Sequence, residues 1–83
     1  MENSTKELER LVIIQVAEIL NCNPEKLSME SAIDITEGWD SLKNMDVILS
    51  LESKFNIVFQ PEELMRLDSI LEMTKSISLK ISK

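Results

Sequence analysis

A small all-α bundle of four helices is the fold this sequence predicts, and three observations carry it. Apolar residues recur at three- and four-residue steps in three separate runs, helix-opening patterns stand at the head of those runs, and both prolines and the single glycine fall outside them. Eighty-three residues, 43% hydrophobic and 29% charged, are enough for one core and too few for two, so one domain is expected over 1–83 with its core at about 5–81. A fold of this size hides only about 60% of the surface its unfolded chain exposes and retains roughly 4–12 kcal/mol of stability. That suits a bundle and leaves little for a deep catalytic cleft.

The first helix is expected from Ser4, where Ser4 and Glu7 have the capping-box form, to Leu20. Leu8, Val12, Val16, Ile19 and Leu20 gather on its core side; Leu11, Ile13 and Ile14 overfill that stripe, so at least one of them belongs at the surface. Asn21-Cys22-Asn23-Pro24 ends it, because Asn tolerates turn geometry and the residue before Pro is pushed out of the α region. The long first loop, Asn21 to Asp40, is too long to be featureless. One helical turn is expected at Pro24–Leu27, with Leu27, Met29, Ala32 and Ile33 tacking the loop to the core and Gly38 at a sharp change of direction before Trp39.

The second helix begins at Asp40 or Ser41 and runs through Leu42, Met45, Ile48, Leu49, Leu51 and Phe55 to a breaker at Asn56. Ile57, Val58 and Phe59 form a short extended link. Pro61-Glu62-Glu63 is a good first turn for a short third helix ending near Leu67, since Pro lacks the N–H that a first turn leaves orphaned and acids suit the positive end of the helix dipole. Ser69 and Glu72 repeat the capping-box form and open a fourth helix through Ile70, Met73, Thr74, Ile77 and Ile81.

Composition narrows function. The chain has no His and no Tyr, two of the commonest side chains for proton transfer and metal binding, so chemistry catalysed by this chain alone is not expected and neither catalytic nor metal-binding residues are assigned. The single Cys22 excludes an internal disulfide and is read as a small buried hydrophobe. The polar, acidic start lacks the pattern of a signal peptide, and no apolar stretch approaches ~18 residues, so a cytoplasmic location is expected. Fifteen acidic against nine basic residues, a net charge of −6, make nucleic acid and membrane surfaces poor partners. The imbalance lies wholly between Glu25 and Glu63, where nine acids face three lysines. Such a patch can steer basic partners to one face, although ordinary solvated surface has the same composition.

Two Asp-Ser pairs, Asp40-Ser41-Leu42 and Asp68-Ser69-Ile70, stand where helices begin, and capping alone could explain each. Ser69 has Glu72 as a reciprocal partner; Ser41 has Asn44 at that place and forms no capping box. The stretch Gly38-Trp39-Asp40-Ser41-Leu42 and the amphipathic run to Phe55 resemble the acyl carrier protein family, in which the serine of an Asp-Ser-Leu motif bears a 4′-phosphopantetheine arm. Leu51-Glu52-Ser53-Lys54-Phe55-Asn56-Ile57 looks like the Leu-Glu-x-x-Phe segment closing that family's second helix, and Phe59-x-Pro61-Glu62-Glu63 like the entry to its short third helix. Leu8, Val12, Val16 and Leu20 fall on core positions of its first helix, and the resemblance spans about residues 5–81.

The resemblance implies that Ser41 is the attachment residue and that 4′-phosphopantetheine, taken from coenzyme A by a separate phosphopantetheinyl transferase, is the cofactor. A serine at a helix start suits this role, because free N–H groups and the positive end of the dipole favour a phosphate there. Asp40 caps or orients the helix start and either does only that or also meets a basic group on the transferase, Leu42 is expected to be partly exposed, and Trp39 either plugs the loop or touches the arm. Asp46, Glu52 and Met45 are the candidate docking residues for the acyl- or aminoacyl-loading enzyme and for downstream transferases or synthases. Met45, Ile48, Leu49, Leu64 and Leu67 either line a slot for the bound acyl chain or are simply core.

One departure matters. Lys43, Ser53 and Lys54 stand where acids are common in that family, so partners differing from those of bulk fatty-acid synthesis are expected. The expectation is a free-standing, monomeric carrier in a specialised pathway such as polyketide, nonribosomal peptide or surface-polysaccharide modification. The alternative is a non-catalytic acidic helical docking module without a prosthetic group, in which Ser41 serves only as a cap.

Overall fold

The computed structural model describes the backbone of residues 2–81 and the side chains of residues 6–81. Among the described residues there are four α-helices, α1 (Glu2–Leu20), α2 (Ser41–Phe55), α3 (Pro61–Leu64) and α4 (Ile70–Ile81), with a 3-10 turn at Pro24–Lys26. The all-α bundle with a long first loop and a short third helix is therefore what the chain forms.

The periodicity read from the sequence becomes the core. Leu8, Val12, Val16 and Ala17 of α1 meet Val47, Ile48 and Leu51 of α2 and Ile70, Met73 and Ile77 of α4 in one buried cluster. Leu27, Trp39, Phe59 and Leu67 close it from the connections. Cys22 packs half-buried against the same cluster, and Ile14 is the residue of the overfilled stripe that faces solvent. Each fully buried Val, Leu, Ile, Phe or Met of this cluster stabilises the fold by about 1.5–3 kcal/mol.

The helix ends follow local chemistry. α1 and α2 both stop at an asparagine in the left-handed region, Asn21 at φ 59° and Asn56 at φ 57°. After each, the next N–H turns back to a carbonyl five residues earlier, Cys22 to Ala17 at 3.0 Å and Ile57 to Glu52 at 3.1 Å, which satisfies carbonyls the helix itself leaves open. Gly38 also has positive φ, 83°, at the turn expected before Trp39. Three boundaries differ from expectation. The backbone of α1 starts at Glu2, so Ser4 is inside the helix; its side chain, and the capping box proposed for it, lie outside the described residues. α3 ends at Leu64, because the bonds that follow, Arg66 N–H to Glu63 and Leu67 N–H to Leu64, tighten to three-residue spacing and carry the chain off the helix axis. At α4 only half of the capping box forms: Ser69 Oγ accepts the Glu72 N–H at 3.1 Å, while the Glu72 carboxylate faces Lys75 at 3.9 Å.

The long loop is ordered by α4. Ala32 pairs with Ser69 as an isolated antiparallel bridge, and the Ile70 and Leu71 N–H groups donate to Ser31 and Met29 carbonyls at 3.0 and 3.1 Å. With Ser69 serving Glu72 and Met73, every orphan donor of the α4 start finds an acceptor. Opposite, α3 is held mainly by one carboxylate: Glu63 accepts from the Gln60 N–H at 2.6 Å, from the Ser76 hydroxyl at 3.1 Å and from Lys80 Nζ at 2.8 Å. Lys80 also stands 5.7 Å from the centroid of the Phe59 ring.

The hydrogen bond from Lys80, followed by those from Gln60 and Ser76, holds the Glu63 carboxyl below its ordinary range against an opposing effect of burial. A carboxyl lowered on folding adds stability above its unfolded pKa, and that stability disappears as pH falls through the folded value. Glu63→Gln is therefore expected to lower the melting temperature near neutral pH. The difference from wild type should shrink steadily in melts taken below the usual glutamate range.

Candidate functional site: the start of the second helix

Asp40-Ser41 and Asp68-Ser69 are the same dipeptide set one residue apart in helical register. At α4 the serine is the cap. At α2 the aspartate is: Asp40 has extended backbone, φ −111° and ψ −174°, and its Oδ1 accepts the Lys43 N–H at 2.9 Å while its carbonyl takes the Asn44 N–H at 2.8 Å. Ser41 is thereby the first helical residue and is exposed. Among the described residues its hydroxyl has no hydrogen-bond partner, and the N–H groups of Ser41 and Leu42 have no acceptor. The start of α4 is closed by its own chain, and the start of α2 is open to solvent.

An open helix start with a free hydroxyl fits a phosphodiester. Two unused N–H donors point out of the first turn, the helix dipole adds partial positive charge there, and Oγ can be reached without breaking an internal bond. Lys43 is exposed in that same turn and adds a full positive charge near the site.

Trp39 occupies the plug position. It is 1% exposed, and its indole N–H donates to Asn44 Oδ1 at 2.9 Å, which leaves no ring face open to a prosthetic arm and corrects its assignment as a cofactor contact. Asn44 Nδ2 in turn donates to the Leu67 carbonyl at 3.0 Å. Two connections thus meet at one side chain on α2. Sequence reasoning noted Asn44 only for failing to make a capping box; an amide four residues into an amphipathic helix was the available signal, since such a residue is either solvated or paired.

The other candidates separate by burial. Leu42 at 79%, Met45 at 51% and Leu49 at 58% are exposed and form an apolar stripe at three- and four-residue spacing below Ser41, with Asp46 exposed beside them. Glu52 is half-buried, and its Oε2 accepts the Phe59 N–H at 2.9 Å, so this carboxylate holds the extended link rather than standing free for docking. Of the five slot residues, Ile48 and Leu67 are core, whereas Met45, Leu49 and Leu64 face outward. On α2, Ile48 is turned into the core while Met45 and Leu49 beside it are exposed.

Residues 10–77 match a family model described as a phosphopantetheine attachment site. The chain is similar to an acyl carrier protein of Wolinella succinogenes, 36% identical over 62 residues that cover 75% of this chain and 82% of that protein. It is also similar to an acyl carrier protein homolog of Mycoplasma pneumoniae, 29% identical over 80 residues covering 90% and 94% of the two chains.

The two registers make opposite demands on stability. Ser69→Ala removes a cap and is expected to cost about 1 kcal/mol in urea unfolding, whereas Ser41→Ala removes no bond and should stay within about 0.5 kcal/mol of wild type.

Proposed function

The chain belongs to the acyl carrier protein family and carries phosphopantetheine, and from that premise we propose that Ser41 is the residue bearing the arm. The observation that carries this reading is the division of labour at the start of α2: Asp40 does the capping, and Ser41 is left exposed with nothing bonded to its hydroxyl. The rival docking module without a prosthetic group needed Ser41 as a cap, a task that Asp40 already performs.

In the modification, the Ser41 oxygen forms a bond to the phosphorus of coenzyme A nearest the pantetheine, the bond from that phosphorus to the adenosine bisphosphate portion breaks, and the hydroxyl proton passes to a base on the transferase. The chain has no His, and the neighbouring Asp40 carboxylate is engaged as the helix cap with the Lys43 N–H, so its own part is to present the oxygen and to receive the new negative charge against the Ser41 and Leu42 N–H groups. Once in place, the arm supplies a thiol that holds an acyl or aminoacyl group as a thioester. The protein delivers that cargo rather than transforming it, and tethering raises its effective concentration at each docked enzyme.

Docking falls to the face below Ser41. Leu42, Met45 and Leu49 offer apolar contact, Asp46 a charge for a basic partner, and Lys43 and Lys54 interrupt what would otherwise be an acidic helix. A partner matched to this surface needs apolar ground and at least one acid opposite those lysines. That requirement supports a dedicated partner set and a specialised pathway over bulk fatty-acid synthesis, with the chain acting as a monomeric carrier domain.

Incubation with coenzyme A and a broad-specificity phosphopantetheinyl transferase, read by intact mass, is expected to add one arm to the wild type and none to Ser41→Ala. Absence of the adduct, under conditions that modify a control carrier, would remove Ser41 from this role.

A further inference from the structure

Asn44 is the one side chain on α2 that is bonded on both sides to other parts of the fold. The indole N–H of Trp39 can only donate and the Leu67 carbonyl can only accept, so a group between them must accept on one side and donate on the other. A carboxamide does both with two atoms in one plane. Trp39 stands two residues before Ser41 and is sealed in the core, while Leu67 is the buried residue at which the chain leaves α3 for α4. The Asn44 N–H also closes the first turn of α2 on the Asp40 carbonyl at 2.8 Å.

We infer that Asn44 is a positioning residue for Ser41: by joining the buried Trp39 indole to the Leu67 carbonyl, it fixes the direction of the first turn of α2 and so the place of the hydroxyl that a transferase must reach. This rests on Ser41 being the attachment residue. The first turn has no other lateral support, because Ser41, Leu42 and Lys43 are all exposed and the Asp40 cap acts along the helix axis. Without Asn44 the turn keeps its helical bonds and loses its anchor. The Ser41 oxygen then samples directions, and proximity catalysis on a docked enzyme falls steeply with such misplacement. The proposed docking residues Leu42, Met45 and Leu49 are exposed, whereas the half-buried Asn44 side chain bonds to Trp39 and Leu67, so affinity for the transferase is spared.

The test is steady-state modification kinetics with coenzyme A and a phosphopantetheinyl transferase, well below the melting temperature, on full-length protein. Asn44→Asp keeps the acceptor for Trp39 and loses the donor to Leu67; Asn44→Ala loses both. The aspartate variant is expected to lose about tenfold in kcat, the order of one hydrogen bond, and the alanine variant more, each with KM for the carrier protein unchanged. Ile77→Val, a destabilised core variant on α4, is expected to keep the wild-type kcat and so separates positioning from loss of stability. Wild-type kcat in both Asn44 variants, or an equal loss in Ile77→Val, overturns the inference. If the alanine variant does not fold, the aspartate variant decides alone. A wild type that accepts no arm removes the attachment reading itself and the inference with it.

Discussion

The bond from the Trp39 indole to the Asn44 carboxamide is the constraint on which the rest of the site depends. An indole is large enough to anchor a long loop by burial alone, but its N–H must be paired once water is excluded, and an unpaired donor there would cost about 1–3 kcal/mol. Asn44 meets that need from α2 and turns its other end to the Leu67 carbonyl. The loop before Ser41, the helix after it and the connection out of α3 are thus locked by one planar group. Everything exposed at the start of α2 is exposed because this interior is closed.

Two helix starts show how the same dipeptide is given different work. At α4 the loop pairs with 68–70 through the Ile33 N–H to Asp68 carbonyl bond at 2.9 Å and the Ile70 N–H to Ser31 carbonyl bond, which keeps Ser69 extended and sets its hydroxyl to cap. At α2 no strand-like partner lies alongside, the extended residue is Asp40, and the serine moves one place into the helix. A carboxylate is as good a cap as a hydroxyl. Using it leaves the serine hydroxyl exposed and unbonded without leaving the helix start uncapped.

The carboxylates are divided between structure and surface. Glu52 and Glu63 look alike in the sequence as members of an acidic middle segment, yet one ties the extended link to α2 and the other ties α3 to Ser76 and Lys80. Both contribute to holding the short 57–67 stretch, which has few apolar anchors besides Phe59 and Leu67. What is exposed below Ser41 on α2 is more apolar than acidic: Leu42, Met45 and Leu49 with Asp46 at the side. The charge balance of the whole chain therefore overstates how acidic this face is.

Sequence alone determined the four helices, the alternation of core and surface along α1 and α4, the asparagine stops and the turn at Gly38, because each follows from local periodicity, backbone preference or a motif within a few residues. Only the tertiary structure decided that Asp40 rather than Ser41 is the cap, that Trp39 is sealed away, that Glu52 is bonded to the extended link, and that Asn44 links two connections. Those outcomes turn on a one-residue register and on partners as far apart as Asn44 and Leu67, and a polar side chain carries no mark of its distant partner in its own neighbourhood. Apolar periodicity says which way a helix faces; it is the packed chain that says which polar groups lose their water and must find one another.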